Sequence, residues 1–229
     1  MDEFFSRSEA LLGAEVMKAL RTKRVIIFGV GGVGSWVAEC LIRTGLLHLT
    51  IVDGDTVQPS NINRQLPATR ETMGLPKVEA LRARLLEINP EAEIVAIPEF
   101  YHGDNENLNA QIANHQFVID AIDSVNDKAD LILYASRVRG LKIFSSMGAA
   151  LRFDPTQITT GELMSIKGDA LAKAVRARMK RLDRHPNKRI RCVYSEEQAQ
   201  RCETRGSLMQ VTGVFGLTLS SLVIEGLKS

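Results

Sequence analysis

Cysteine is scarce in this chain of 229 residues: Cys40, Cys192 and Cys202 are the only thiols, and no two have Cys-x-x-Cys spacing. Three thiols cannot build a Cys₄ zinc site, and an odd, scattered set is not a disulfide framework. That usage fits a reducing compartment. Aromatics are also few, at 5%, with Trp36 the sole tryptophan, so the core must be built from Leu, Ile, Val and Ala. The four histidines (His48, His102, His115, His185) have no metal-ligand spacing. Internal repeats and low-complexity segments are absent. The opening Met-Asp-Glu-Phe-Phe-Ser-Arg lacks the basic and apolar regions of a secretory signal. A continuous run of about 20 mostly apolar residues, as a membrane span needs, is missing too. The nearest stretch, between Arg205 and Glu225, is broken by Ser207, Gln210, Thr212, Thr218, Ser220, Ser221 and three glycines. It reads as a helix buried in protein, with small residues permitting close backbone approach. The expectation is a cytoplasmic protein that makes no use of a membrane.

Net charge is small, at +2, but unevenly spread. Between Lys167 and Arg191 ten Lys/Arg oppose only Asp169 and Asp183, a balance of +8 that leaves −6 on the rest. A basic insert on an acidic body points to a polyanionic partner. Within it, Lys173, Arg176 and Lys180 share one helical face, with Arg181 and Arg184 beside them. No aromatic residue is interleaved for stacking on a base, so the segment suits phosphate contact rather than sequence readout.

What the chain does have is a regular alternation of strand and helix signals. Val25–Phe28, Leu49–Val52, Glu93–Ile97, Phe117–Ile122 and Leu141–Phe144 read as buried strands. Gly34–Arg43, Lys77–Ile88, Asn105–Asn114 and Asn126–Arg139 read as the helices between them. The spacing predicts an α/β, Rossmann-like, doubly wound and mostly parallel sheet. Beyond residue 150 the pattern changes: an irregular or antiparallel strand over Ile158–Ser165, the basic helix Asp169–Leu182, a strand Arg191–Tyr194 and a closing helix Leu208–Leu227. Residues 1–150 are thus expected to form a core with an N-terminal helical arm, and 151–229 a C-terminal extension of the same domain carrying the basic insert 167–191.

The first strand runs into Gly29-Val30-Gly31-Gly32-Val33-Gly34, which opens a helix. Glycines there permit a tight turn and close approach of backbone to phosphate, and the helix terminus favours an anion. Asp53 ends the next strand, where a ribose-binding acid belongs. Those features alone would suit a nicotinamide or flavin dinucleotide. The residues beyond Asp53 change the choice. Asp55, then Ser60-Asn61-Ile62-Asn63-Arg64-Gln65, then Lys77 at a helix start put two cations and several amides beyond the ribose strand. Hydride transfer has no need of them; charge developing on pyrophosphate does. Asp123, at the end of the fourth strand, would hold Mg²⁺.

In that order, these elements resemble the ATP-dependent adenylyltransferase family of ubiquitin-activating enzymes and their small ThiF/MoeB/HesA relatives. The resemblance covers about the first 150 residues. It implies that ATP and Mg²⁺ are used, that Asp53 binds ribose, that Arg64 and Lys77 bind phosphates, and that Asp123 holds the metal. The remaining nucleotide-site positions are Gly29, Gly31, Gly32, Gly34, Asp55, Asn61, Asn63, Gln65 and Ser124. It also implies a homodimer in which Arg7 of one subunit acts in trans at the other's site. Gly32-Val-Gly-Ser-Trp36, Asp120-Ala-Ile-Asp-Ser124, Asp154-Pro-Thr-Gln-Ile158 and Cys192-Val-Tyr-Ser195 further resemble the tRNA threonylcarbamoyladenosine dehydratase subgroup. Those enzymes adenylate the threonine carboxylate of the modified base and let its carbamoyl group displace AMP. The tRNA would then lie on segment 167–191, and a sulfur-transfer protein is a candidate partner.

The competing readings are an adenylyltransferase for a sulfur-carrier or ubiquitin-like protein, a non-catalytic RNA-binding module and a nicotinamide-dependent oxidoreductase. The missing Cys-x-x-Cys pairs weigh against the first, since relatives that handle sulfur carriers commonly have them. Cys40 is expected to be a buried small hydrophobe and Cys202 a surface thiol beside Arg201 and Arg205. The cations around Cys192 could activate it, although cyclisation from the adenylate needs no protein nucleophile.

Overall fold

In chain order the computed structural model contains α1 (Ser6–Leu12), α2 (Ala14–Thr22), β1 (Arg24–Phe28), α3 (Gly34–Thr44), β2 (His48–Val52), α4 (Lys77–Ile88), β3 (Glu93–Ile97), α5 (Glu106–Ala113), β4 (Phe117–Asp120), α6 (Val125–Ala135), β5 (Lys142–Ser146), β6 (Ile158–Glu162), α7 (Ala170–Arg181), β7 (Arg191–Ser195) and α8 (Met209–Leu227). Residues 3–200, 202–204 and 206–228 are described; Arg201 and Arg205 lie outside them. One sheet runs β3-β2-β1-β4-β5-β7-β6, parallel throughout except that β6 is antiparallel to β7. From β1 the chain winds outward first through β2 and then through β4, so the switch point lies between β1 and β4, where ligands of such sheets bind.

The sheet is covered on both faces, which is why β1 reads as an unbroken apolar run. Val25 and Ile27 join one cluster with α3, α4 and α8; Ile26 and Phe28 join the other with α5, α6 and α7. Each fully buried Leu, Ile or Phe contributes about 1.5–3 kcal/mol. The uncharged C-terminal stretch is α8, whose length and hydropathy suit a span but whose apolar window is 50% buried within the protein. It packs on α3 at Gly216, where a Cβ would meet Trp36 Cβ at 2.6 Å and Val33 O at 2.7 Å. Only glycine allows that approach.

Several boundaries differ from the sequence reading. β4 ends at Asp120 because its carboxylate takes the Ile122 N–H at 3.1 Å and turns the chain. α6 ends at Ala135, where the Ser136 hydroxyl donates to Leu133 O and accepts Asn187 N–H. Asp169, read as one of two acids opposing the basic insert, is instead a buried anchor. It caps α7 through Ala172 N–H (2.8 Å), accepts Gly148 N–H (3.1 Å) and pairs with buried Arg152 (3.0 Å). The insert is therefore woven into the packing of the sheet's second face.

His115 is buried, its Nε2 accepting from Thr50 Oγ1 (2.9 Å) and its Nδ1–H donating to Gln111 O (2.6 Å). Burial lowers its pKa, despite the opposing Gln111 contact. The unfolded chain then binds the proton more readily, so stability should fall as pH drops below about 6.5. His115→Asn should flatten that part of a urea-midpoint series between pH 7 and 5. An unchanged slope in the variant would exclude this residue as the cause.

Candidate nucleotide-binding active site

A cavity of about 430 Å³ opens at the β1–β4 switch point. The glycine turn after β1, the loop after β2, the start of α4 and the β4–α6 turn form its walls, and the loops after β3 and β5 close its sides. Gly29 has φ +85°, and a Cβ there would lie 2.8 Å from Ala121 O, so the turn needs glycine for both reasons. Gly31 and Gly32 also line the cavity. Gly34 does not: it is a packing glycine, since a Cβ would sit 1.8 Å from Gly29 O. No side chain caps α3, which leaves its first-turn amides suited to an anion.

Asp53, expected as a ribose ligand, is engaged by two backbone amides. One oxygen accepts Val30 N–H (2.8 Å) and the other Asp55 N–H (2.9 Å), so the carboxylate clamps the glycine turn to the end of β2. Burial raises its pKa, opposed by those backbone donors and by Lys77. Lys77 is only 5% exposed, and its ammonium bonds Asp55 Oδ2 at 2.7 Å. Arg64 Nη1 donates to Ser60 O and Asn63 Oδ1, both 2.9 Å, which orients the guanidinium at the cavity wall. Trp36 Nε1–H holds the same loop by donating to Arg64 O at 3.2 Å. Asn63 itself is not a lining residue; it ties Arg64 to Ser207 O at 2.8 Å. Asn61 and Gln65 line the cavity, and Gln65 Oε1 is buried without a hydrogen-bond partner. Asp123 and Ser124 line the opposite wall. Arg7 is exposed on α1 and does not line its own chain's cavity.

The sequence reading missed the second wall. Glu99, Phe100 and Tyr101 after β3, Asp127 on α6, and Gly148 after β5 all line the cavity. The carboxyl ends of β3 and β5 were the available signal. Tyr101 has its pKa pushed up by burial and nearby carboxylates. The wall therefore carries five carboxylates (Asp53, Asp55, Glu99, Asp123, Asp127) against two cations. A divalent cation would offset the charge of a polyphosphate beside such a wall, and Mg²⁺ typically takes one or two carboxylates plus phosphate oxygens. Among the described residues no group of three or more His, Cys, Asp or Glu could hold a metal alone. Asp123, in the cavity wall, fits that mode.

Cys202 is a surface thiol as expected, but the readings of Cys192 and Cys40 need correction. Cys192 is fully buried on β7, and burial pushes its thiol pKa far up, so the neighbouring cations do not activate it. Cys40 is half-buried, 3.0 Å from Ser220 Oγ, and Cys202 is exposed. The supposed cationic face of α7 is also incomplete: Arg176 is partly buried and donates to Leu163 O at 2.8 Å.

Fold and site together define a nucleotide-binding α/β protein whose glycine turn, Asp53, Arg64 and Lys77 line one cavity at the switch point. The chain belongs to the ThiF family, whose profile matches residues 5–228. It is 37% identical over 195 residues to the tRNA threonylcarbamoyladenosine dehydratase of Bacillus subtilis, covering 84% of this chain and 74% of that protein. Identity to the Haemophilus influenzae protein of that name is 34% over 230 residues, covering 91% and 87%. The solved structure of the Escherichia coli tRNA N6-threonylcarbamoyladenosine dehydratase in complex with ATP superposes with TM-score 0.91 and 34% identity, covering 98% of this chain and 93% of that one.

Proposed function

We propose that this chain is an ATP-dependent tRNA threonylcarbamoyladenosine dehydratase. The observation that carries the reading is the convergence of the glycine turn, Asp53, Arg64 and Lys77 on one cavity, in a chain similar over nearly its whole length to dehydratases of that name. The threonine carboxylate attacks the α-phosphorus of ATP and pyrophosphate leaves. The carbamoyl group then attacks the acyl carbon, a proton is lost to solvent, and AMP departs with the former carboxylate oxygen. One carboxylate and one ATP thus yield the cyclic base, AMP and pyrophosphate, with net loss of water.

The glycine-turn amides and the start of α3 face the phosphates, and Arg64 and Lys77 neutralise charge as pyrophosphate separates. Asp53 binds ribose while holding the turn; Asn61 and Gln65 contribute amide contacts. Asp123 would hold Mg²⁺, which would supply positive charge to offset the phosphates beside the acidic wall. No protein nucleophile is required, which agrees with the buried Cys192. Phe4 and Leu11, 91% and 86% exposed, form an apolar N-terminal surface suited to a second copy, from which Arg7 would reach the partner's cavity. A tRNA-modifying role implies a cytoplasmic protein.

The test is mass spectrometry of nucleosides after incubating threonylcarbamoylated tRNA with protein and ATP. A product lighter by one water, formed only with ATP, is expected. Pyrophosphate release with a Gly-Gly-ended carrier protein, and none with the tRNA, would transfer the chain to the carrier-activating branch.

A further inference from the structure

A second cleft, of about 780 Å³, lies between α6 and α7 and shares Asp127 with the nucleotide cavity. Its lining carries three acids, Asp104, Asp127 and Asp130, and three arginines, Arg137, Arg178 and Arg184. Asp127 and Asp130 stand in the first half of α6, where the Gly103 loop covers Asp130. Arg137 lies just past the end of that helix, about 15 Å from Asp127 at 1.5 Å per residue. Arg178, near the end of α7, and Arg184 beyond it line the same cleft. Two contacts hold their segment beside Arg137: Asn187 N–H donates to Ser136 Oγ (3.1 Å), and Lys188 Nζ to Val138 O (3.3 Å). The segment that follows Arg184 is thereby held beside Arg137, in a cleft that Arg178 also lines. Arg178, which lines the cleft, has its Nε buried without a hydrogen-bond partner, an expensive state that fixes no protein acceptor on that atom. Arginines at a helix C-terminus also complement the helix dipole, but that role would not bury a donor unpaired.

We propose that this cleft seats a backbone phosphate of the tRNA on Arg137, Arg178 and Arg184, a short run of backbone away from the modified base in the main cavity. The inference rests on the tRNA reading above and moves the principal contact from the exposed face of α7 into the cleft. Arg137 lies outside the basic segment and gains a role that the linear charge pattern did not give it. The separation along α6 assigns the seated phosphate to a neighbouring nucleotide rather than to the reacting one. The acids at the near end suit ribose hydroxyl donors rather than phosphate.

The experiment compares R137Q/R184Q, both exposed positions, with K173Q/K180Q, which removes equal charge from the open face of α7. Binding of threonylcarbamoylated tRNA is measured across a salt series, with ATP titration as the check on the main cavity. The cleft variant should weaken tRNA binding about tenfold and lower the log–log salt slope by about 0.7, for one single-strand phosphate contact. K173Q/K180Q should lose clearly less. Wild-type affinity and slope in R137Q/R184Q, or an equal loss in both variants, would overturn the inference while leaving wild-type conversion intact. A wild-type protein that neither binds nor converts the tRNA would instead overturn the functional reading and this inference with it.

Discussion

Arg64→Ala is expected to slow ATP-dependent conversion of the tRNA by about 10²–10³-fold, and Lys77→Ala by a similar factor. Removing one preorganised donor aimed at developing charge typically costs that much. Arg64 is oriented at the cavity wall by Ser60 O and Asn63 Oδ1, so its guanidinium is in place before the nucleotide arrives. Lys77 is nearly buried and held by Asp55 at 2.7 Å. The readout is pyrophosphate exchange into ATP, and then nucleoside analysis. Thermal midpoints of Arg64→Ala should stay close to wild type, because this side chain holds only its own loop. Exchange within twofold of wild type in both variants would remove these residues from the phosphate site.

Lys128→Ala is expected to destabilise the fold by about 3–5 kcal/mol, since it leaves a buried carboxylate uncompensated. Lys128 is fully buried; its ammonium bonds Asp120 Oδ2 (2.7 Å), Ser146 O (2.9 Å) and Ser145 Oγ (3.3 Å). Ser145 Oγ also donates to Asp120 Oδ2 at 2.5 Å. The network locks β4 to β5 at their carboxyl ends, beneath the turn that presents Asp123. A chain of this size should lose about 10 °C in thermal midpoint. Asp120→Asn with Lys128→Met removes both charges and keeps an acceptor for Ile122 N–H, so it should recover at least half of the loss. A double variant no more stable than Lys128→Ala would show that the pair's charges are not what the fold depends on.

Asp120 illustrates how much of the site was legible. The run Asp120-Ala-Ile-Asp-Ser124 marks a strand end, and Asp123 stands out from it as the chemical residue. That Asp120 turns inward to a lysine on α6 was not readable, because the pairing depends on which strand and which helix pack beside β4. Asp53 was legible as a strand-terminal acid, but its clamp on Val30 N–H depends on the parallel alignment of β1 with β2. The second wall of the cavity was hidden for the same reason: Glu99, Tyr101 and Asp127 reach it from β3 and α6, with no local motif.

Taken alone, the amino-acid order settled the alternation of strands and helices, the doubly wound sheet, the glycine turn and the cations beyond it. Those signals are local: periodicity, backbone freedom at glycine and the side-chain type at a strand's end. Only the tertiary structure decided which charges are spent on packing and which face a ligand. It buried Asp169 and Cys192, tied down Arg176, and gathered Arg137 with Arg178 and Arg184 from separate elements. Burial and pairing are set by neighbours distant in the chain, and a charge reveals its use only once those neighbours are in place.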